Sequence, residues 1–122
     1  MLASLYTDQV GPKDIGQELA RGQGARLSPT VADALTLGTG KLAVDGVLLI
    51  LEHGDYPRSP LGQTQYPKRR LWEEIGKVFK TEGRSVPVFC DKHLADTWED
   101  AKGIVDEALA LKVPLMAGSS LP

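Results

Sequence analysis

The sequence predicts an α/β fold in which about five parallel strands form one open sheet with helices on both faces. Short apolar runs alternate with helix-like segments along the whole chain. Apolarity within each run is continuous rather than alternating, as in strands covered on both sides. Strand, helix, strand, repeated, implies right-handed crossovers and therefore parallel pairing.

The first strand is expected over Leu2 to Thr7, directly after the start, an abruptness that predicts a fragment or a start internal to a longer reading frame. Asp14-Ile15-Gly16-Gln17 has the form of a capping box, opening a short helix that Gly22 and Gly24 stop. A second strand over Ala25 to Leu27 leads to the polar cap Ser28-Pro29-Thr30. The apolar positions of Val31-Ala32-Asp33-Ala34-Leu35 then form a helix that ends near Gly38 or Gly40. The third strand spans Val47 to Leu51. Gly54 to Lys68 carries Pro57, Pro60, Gly62 and Pro67 and reads as a long loop at that strand's carboxyl end, of a length usually functional or mobile. Leu71, Trp72, Ile75, Val78 and Phe79 recur at helical spacing between Pro67 and Gly83. After a fourth strand, Val86 to Cys90, Asp96-Thr97-Trp98-Glu99 reads as a second capping box. Trp98, Ala101, Ile104, Val105, Ala108 and Leu109 form one apolar stripe in the helix that follows, and Val113 to Ala117 is the fifth strand.

The 122 residues suit a single domain, 1–122, and at this length roughly two thirds of the unfolded surface is buried on folding. With 14 Lys plus Arg against 16 Asp plus Glu, the formal charge of −2 offers no basic excess to draw the chain to nucleic acid or anionic lipid. A small molecule is the expected partner. Cys90, the only cysteine, excludes an internal disulfide and a cysteine-built zinc site. No apolar stretch approaches the ~20 residues of a membrane helix. Met1 to Val10 lacks a basic start and a cleavage signal, so a cytoplasmic location is expected.

The stretch Val86-Pro87-Val88-Phe89-Cys90-Asp91-Lys92-His93-Leu94-Ala95-Asp96-Thr97-Trp98-Glu99-Asp100-Ala101 resembles the Gfo/Idh/MocA family of oxidoreductases. In that family a strand ends in Glu-Lys-Pro, continues Leu-Ala and enters a helix through a Thr and a Glu-x-Ala. Lys112-Val113-Pro114-Leu115-Met116-Ala117-Gly118 is similar to the family's next strand, while Val31 to Leu35, Val44-Asp45-Gly46-Val47 and Glu52-His53 are similar to its preceding helix and strand. The resemblance covers about residues 25 to 118 and is sharpest at 86 to 105. It implies a Rossmann-type domain of enzymes that oxidise or reduce sugars and related alcohols with NAD or NADP, and it places Lys92 beside the nicotinamide. Asp91 stands where the family has Glu, and His93 where it has Pro. No Gly-x-Gly-x-x-Gly occurs, although that turn lets backbone amides approach a pyrophosphate at a helix N-terminus. The family's first strand and helix, and its second domain, have no counterpart in these residues. Without that first strand the order 3-2-1-4-5-6 renumbers to 2-1-3-4-5, so Leu2 to Thr7 is expected to pair with Val47 to Leu51. Strand edges left unpaired promote association, and a homodimer is expected.

Ligands of open α/β sheets sit beyond the carboxyl ends of the strands. Those ends carry Asp8, then Glu52, His53 and Asp55, then Asp91, Lys92 and His93, and finally Ser119 and Ser120. Lys92, His93 and His53 are the candidate catalytic groups, suited to general acid and base work. Asp8 and Asp91 are the candidate cofactor contacts, Asp8 standing where a Rossmann acidic residue binds ribose hydroxyls. Glu52, His53, Asp55, Asp91 and His93 are candidate ligands for a divalent metal. His53 and His93 are expected to face one cleft, with the loop from Gly54 to Lys68 folded over it. The plainer readings make Asp8 a turn residue, Asp91 a helix cap and Lys92 a solvated lysine. Cys90 reads as a buried small side chain, Trp72 and Trp98 as core, and Lys68-Arg69-Arg70 as a solvated face rather than a phosphate site. Three functions fit these residues. One is a Gfo/Idh/MocA-like domain related to NAD(P)-dependent oxidoreductases, without intact dinucleotide binding. Another is a small ester or lactone hydrolase, metal-assisted, although no Gly-x-Ser-x-Gly elbow is present. The third is a non-catalytic binding or dimerisation module.

Overall fold

The computed structural model describes residues 1–118, so Ser119 and Ser120 lie outside the described residues. The chain forms two compact units, Met1–Val44 and Asp45–Pro122. Both follow the predicted α/β pattern with parallel strands, one sheet having two strands and the other three.

In the first unit, β1 (Ser4–Tyr6), α1 (Gly16–Gly22), β2 (Arg26–Ser28) and α2 (Val31–Thr36) follow one another. Ser4 lies opposite Arg26 and Tyr6 opposite Ser28 in the β1–β2 pair. The expected box at Asp14 is replaced by a tighter arrangement, in which the Asp14 carboxylate accepts from the Gly16 amide at 2.7 Å and the N-cap, Ile15, contributes no side-chain bond. An aspartate bonding two residues onward makes a local turn and leaves the helix's later amides unserved. α2 is capped as the sequence predicts, by Thr30, whose hydroxyl accepts from the Asp33 amide at 3.0 Å. Ala20, Ala25, Val31, Leu35 and Leu42 form this unit's core.

The second unit contains β3 (Val47–Leu49), α3 (Lys68–Glu82), β4 (Val88–Asp91), α4 (Trp98–Ala110) and β5 (Leu115–Gly118). Its sheet runs β3-β4-β5, with Val47, Val88 and Leu115 in register. Pro67 occupies the N-cap of α3, and Gly83 ends it at φ 65°, a left-handed turn that side-chain-bearing residues adopt at a cost. Leu71, Trp72, Ile75 and Phe79 form the buried stripe of α3, which packs on α4, where Ile104 and Ala108 are buried. Trp72 Nε1 donates to Glu107 at 2.8 Å, and Lys80 reaches the other oxygen of the same carboxylate.

Two expectations fail in this unit. The stripe assigned to α4 is too wide, because only Ile104 and Ala108 are buried while Trp98 is 74 % exposed and Leu109 is exposed too. Trp98 is therefore not core. Trp98 is the first residue of α4, and the described residues leave most of its surface uncovered. Coverage of the strands on both faces also fails. Two right-handed crossovers in the same direction, β3 to β4 and β4 to β5, put α3 and α4 on one face of the sheet. On the opposite face Leu48, Phe89 and Met116 stand side by side in register, with Leu48 69 % and Met116 66 % exposed.

The segment after β3 is an ordered hairpin-like turn. Ser59 and Gly62 close it, Gly62 N donating to Ser59 O at 2.9 Å, and Gly62 adopts φ 81° as such a loop requires. Ser59 N donates to Gln63 O and Gln65 N to Pro57 O, each at 2.8 Å, while the rings of Tyr56 and Tyr66 meet edge-on with centroids 6.0 Å apart. Among the described residues no helix is long and apolar enough to cross a membrane.

Candidate functional site

Lys68 begins α3 one turn before Leu71 and Trp72, in register with the helix's apolar stripe, and so points inward. Its side chain is 1 % exposed. A buried ammonium is tolerable only where its N–H groups find acceptors, and it has three to place. Glu52 Oε1 accepts at 3.0 Å, the Asp91 carbonyl at 3.4 Å, and the His93 carbonyl takes the third. The run Lys68-Arg69-Arg70 therefore divides. Arg70 pairs with Glu74 on the exposed side of the helix, Arg69 pairs with Glu73 but turns its Nη1 inward against Gly103 of α4, and Lys68 is interior.

Glu52 lies three residues beyond β3 and gathers the charged groups around it. Lys92 Nζ stands 3.2 Å from Oε2, and His93 Nδ1 stands 3.0 Å from Oε1. Burial pushes the Glu52 carboxyl up, but hydrogen bonds from Lys68 and Lys92, with the charges of Lys68 and His93, outweigh it and hold the group below its ordinary value. Lys92 follows β4 directly in a left-handed conformation, φ 61°, with its amide donating to Gly118 O at 2.9 Å. The second ring nitrogen of His93, Nε2, faces Asp96 Oδ1 at 3.0 Å. The two ring nitrogens of His93 thus each face a carboxylate oxygen.

The structure thus brings together Glu52, Asp91, Lys92 and His93 from the predicted set. His53 is exposed and forms no hydrogen bond or ion pair among the described residues, and Asp55 is exposed beside it in sequence. Asp8 belongs to the first unit, where it accepts from the Tyr6 hydroxyl at 2.8 Å. Asp91 is the last residue of β4 and not a helix cap; Thr97 caps α4, accepting from the Asp100 amide at 3.1 Å. That one-residue shift from the expected box frees Asp96 to hold His93. Cys90 is buried as expected, and burial pushes its thiol up, the opposite of what a nucleophile needs.

The donor set does not fit a divalent ion. Both Glu52 oxygens face cations and both His93 nitrogens face carboxylates, and among the described residues no three His, Cys, Asp or Glu side chains converge on one point. For a dinucleotide the fit is partial. Lys92 matches the lysine that the resemblance places beside a nicotinamide, whereas no glycine-rich turn is present to cradle a pyrophosphate.

Sequence reasoning missed Lys68 and Asp96. The signal for Lys68 was present: positions 68, 71, 72, 75 and 79 share one helical face, so a charge at 68 faces the core and requires a buried partner. Comparison with protein-family models, curated proteins and solved structures finds no match to the chain. The site accordingly rests on its own geometry: a buried, paired lysine beneath two partly exposed groups, Lys92 and His93, each facing the Glu52 carboxylate.

Proposed function

We propose that the chain is a Rossmann-like domain related to the NAD(P)-dependent oxidoreductases of the Gfo/Idh/MocA type, with a small-molecule site at the carboxyl ends of β3 and β4. The observation that carries this reading is Lys92. It follows the strand in the position the resemblance assigns, and its ammonium is oriented by Glu52 while remaining partly open to solvent. An ammonium so held offers an N–H to the oxygen of a bound hydroxyl or carbonyl. NAD or NADP, when bound, would supply the hydride acceptor or donor, while Lys92, held by Glu52, would orient the reacting oxygen and His93, between Glu52 and Asp96, would help to hold that carboxylate in place. Without a glycine-rich turn, dinucleotide binding is expected to be weak. Titration of NADPH and NADH should change the protein's tryptophan fluorescence saturably, and Lys92→Met should weaken that binding. No binding at millimolar cofactor would leave a structural relationship alone.

A second reading is dimerisation through the bare face of the second sheet. The row Leu48, Phe89 and Met116 favours it, since contiguous exposed apolar side chains mark association surfaces. Light scattering should give a dimer that Leu48→Lys dissociates. A strict monomer at high concentration contradicts this reading.

A further inference from the structure

We infer that Lys68 is the positioning residue of this site, acting through Glu52 and the turn at residues 91–93 to hold Lys92 toward solvent; the inference rests on the reading of Lys92 as the ligand-facing group. The three acceptors of the Lys68 ammonium are not scattered. One is the carboxylate that also orients Lys92, and the other two are the carbonyls immediately before and after Lys92 in the chain. Two carbonyls separated by a single residue converge on one ammonium because that residue turns back, and Lys92 does so at φ 61°. A lysine held in this region is strained, and such strain persists only where the surroundings fix it. Lys68 fixes the turn from within, while the hydrogen bond from Lys92 N to Gly118 O fixes it from the β5 side. A buried ion pair adds little stability over an apolar substitute, so the value of an ammonium at this point of the stripe lies in the geometry it specifies.

The test uses reductive methylation with carbon-13 formaldehyde, which gives each accessible lysine its own dimethylamine signal, assigned for Lys92 by its loss in Lys92→Met. In the wild-type protein the Lys92 signal should stand apart from those of exposed lysines. In Lys68→Met with an unchanged circular dichroism spectrum it should move into their envelope, and the NADPH affinity should fall to that of Lys92→Met. Lys77→Met, on the exposed side of α3, should move neither. A Lys92 signal that stays in place in folded Lys68→Met overturns the inference. Should Lys68→Met fail to fold, the wild-type protein decides: a Lys68 ammonium resonance that exchanges slowly with solvent, unlike those of exposed lysines, is required, and its absence overturns the inference. These signals are read without ligand. Failure of the wild-type protein to bind NADPH would therefore count against the functional reading while leaving the role of Lys68 in the turn intact.

Discussion

Glu52→Ala is expected to lower the free energy of unfolding by about 3–5 kcal/mol, because it leaves a buried lysine without its anionic partner. Lys68 would keep its two carbonyl acceptors and lose the carboxylate that pairs with it among the described residues. Lys68→Met is expected to cost less, since Glu52 would retain Lys92 and His93. The double variant Glu52→Leu with Lys68→Met should recover most of the loss, as replacement of a whole buried pair by apolar groups is often neutral. Urea unfolding of the wild type, Glu52→Leu, Lys68→Met and the double variant measures this coupling, and additive effects would contradict the pairing. The same carboxylate shapes the response to acid. A carboxyl whose folded-state value is lowered contributes stability that is present above its ordinary value of 4.5 and is lost as pH falls through the lowered value. Glu107 is shifted the same way, burial being outweighed by Lys80 and Trp72. The wild-type protein should therefore lose stability below pH 4.5, and Glu52→Gln should lose less over that window.

Trp72→Ala is expected to cost a further-reaching loss of packing, about 3–5 kcal/mol. Trp72 is fully buried, and its indole fills the space between α3 and α4 while donating to Glu107. Trp72→Phe separates the two contributions. It keeps much of the volume but removes the donor from a largely buried carboxylate, for which about 1–3 kcal/mol is expected. Thermal unfolding of both variants checks the ranking; equal effects would mean that the hydrogen bond, and not the filled volume, holds the helix pair.

How much of this was legible varied with how local the signal was. α3 was readable at both ends because Pro67 and Gly83 each restrict the backbone by themselves, whatever surrounds them. The start of α4 was misread by one residue, since Asp96 and Thr97 both suit an N-cap and only the position of His93 decides between them. Trp98 was misread because a large apolar residue at the right spacing looks like core, while its exposure depends on how far the neighbouring elements extend. Leu48 and Met116 misled for a related reason: a continuous apolar strand predicts cover on both faces, yet both crossovers placed their helices on one. At the site, Glu52, Asp91, Lys92 and His93 were legible as residues at strand ends, which the fold class alone locates. Lys68 was not, for it reaches the site by an ion pair spanning 16 residues of sequence from a run that looks solvated.

The most direct measurement is an NADPH titration of nitrogen-15-labelled protein followed residue by residue. Shifts should concentrate at Glu52 and at the amides of Asp91, Lys92 and His93, and Lys92→Met should suppress them. Shifts confined to other residues, or none at millimolar NADPH, would contradict the proposed site.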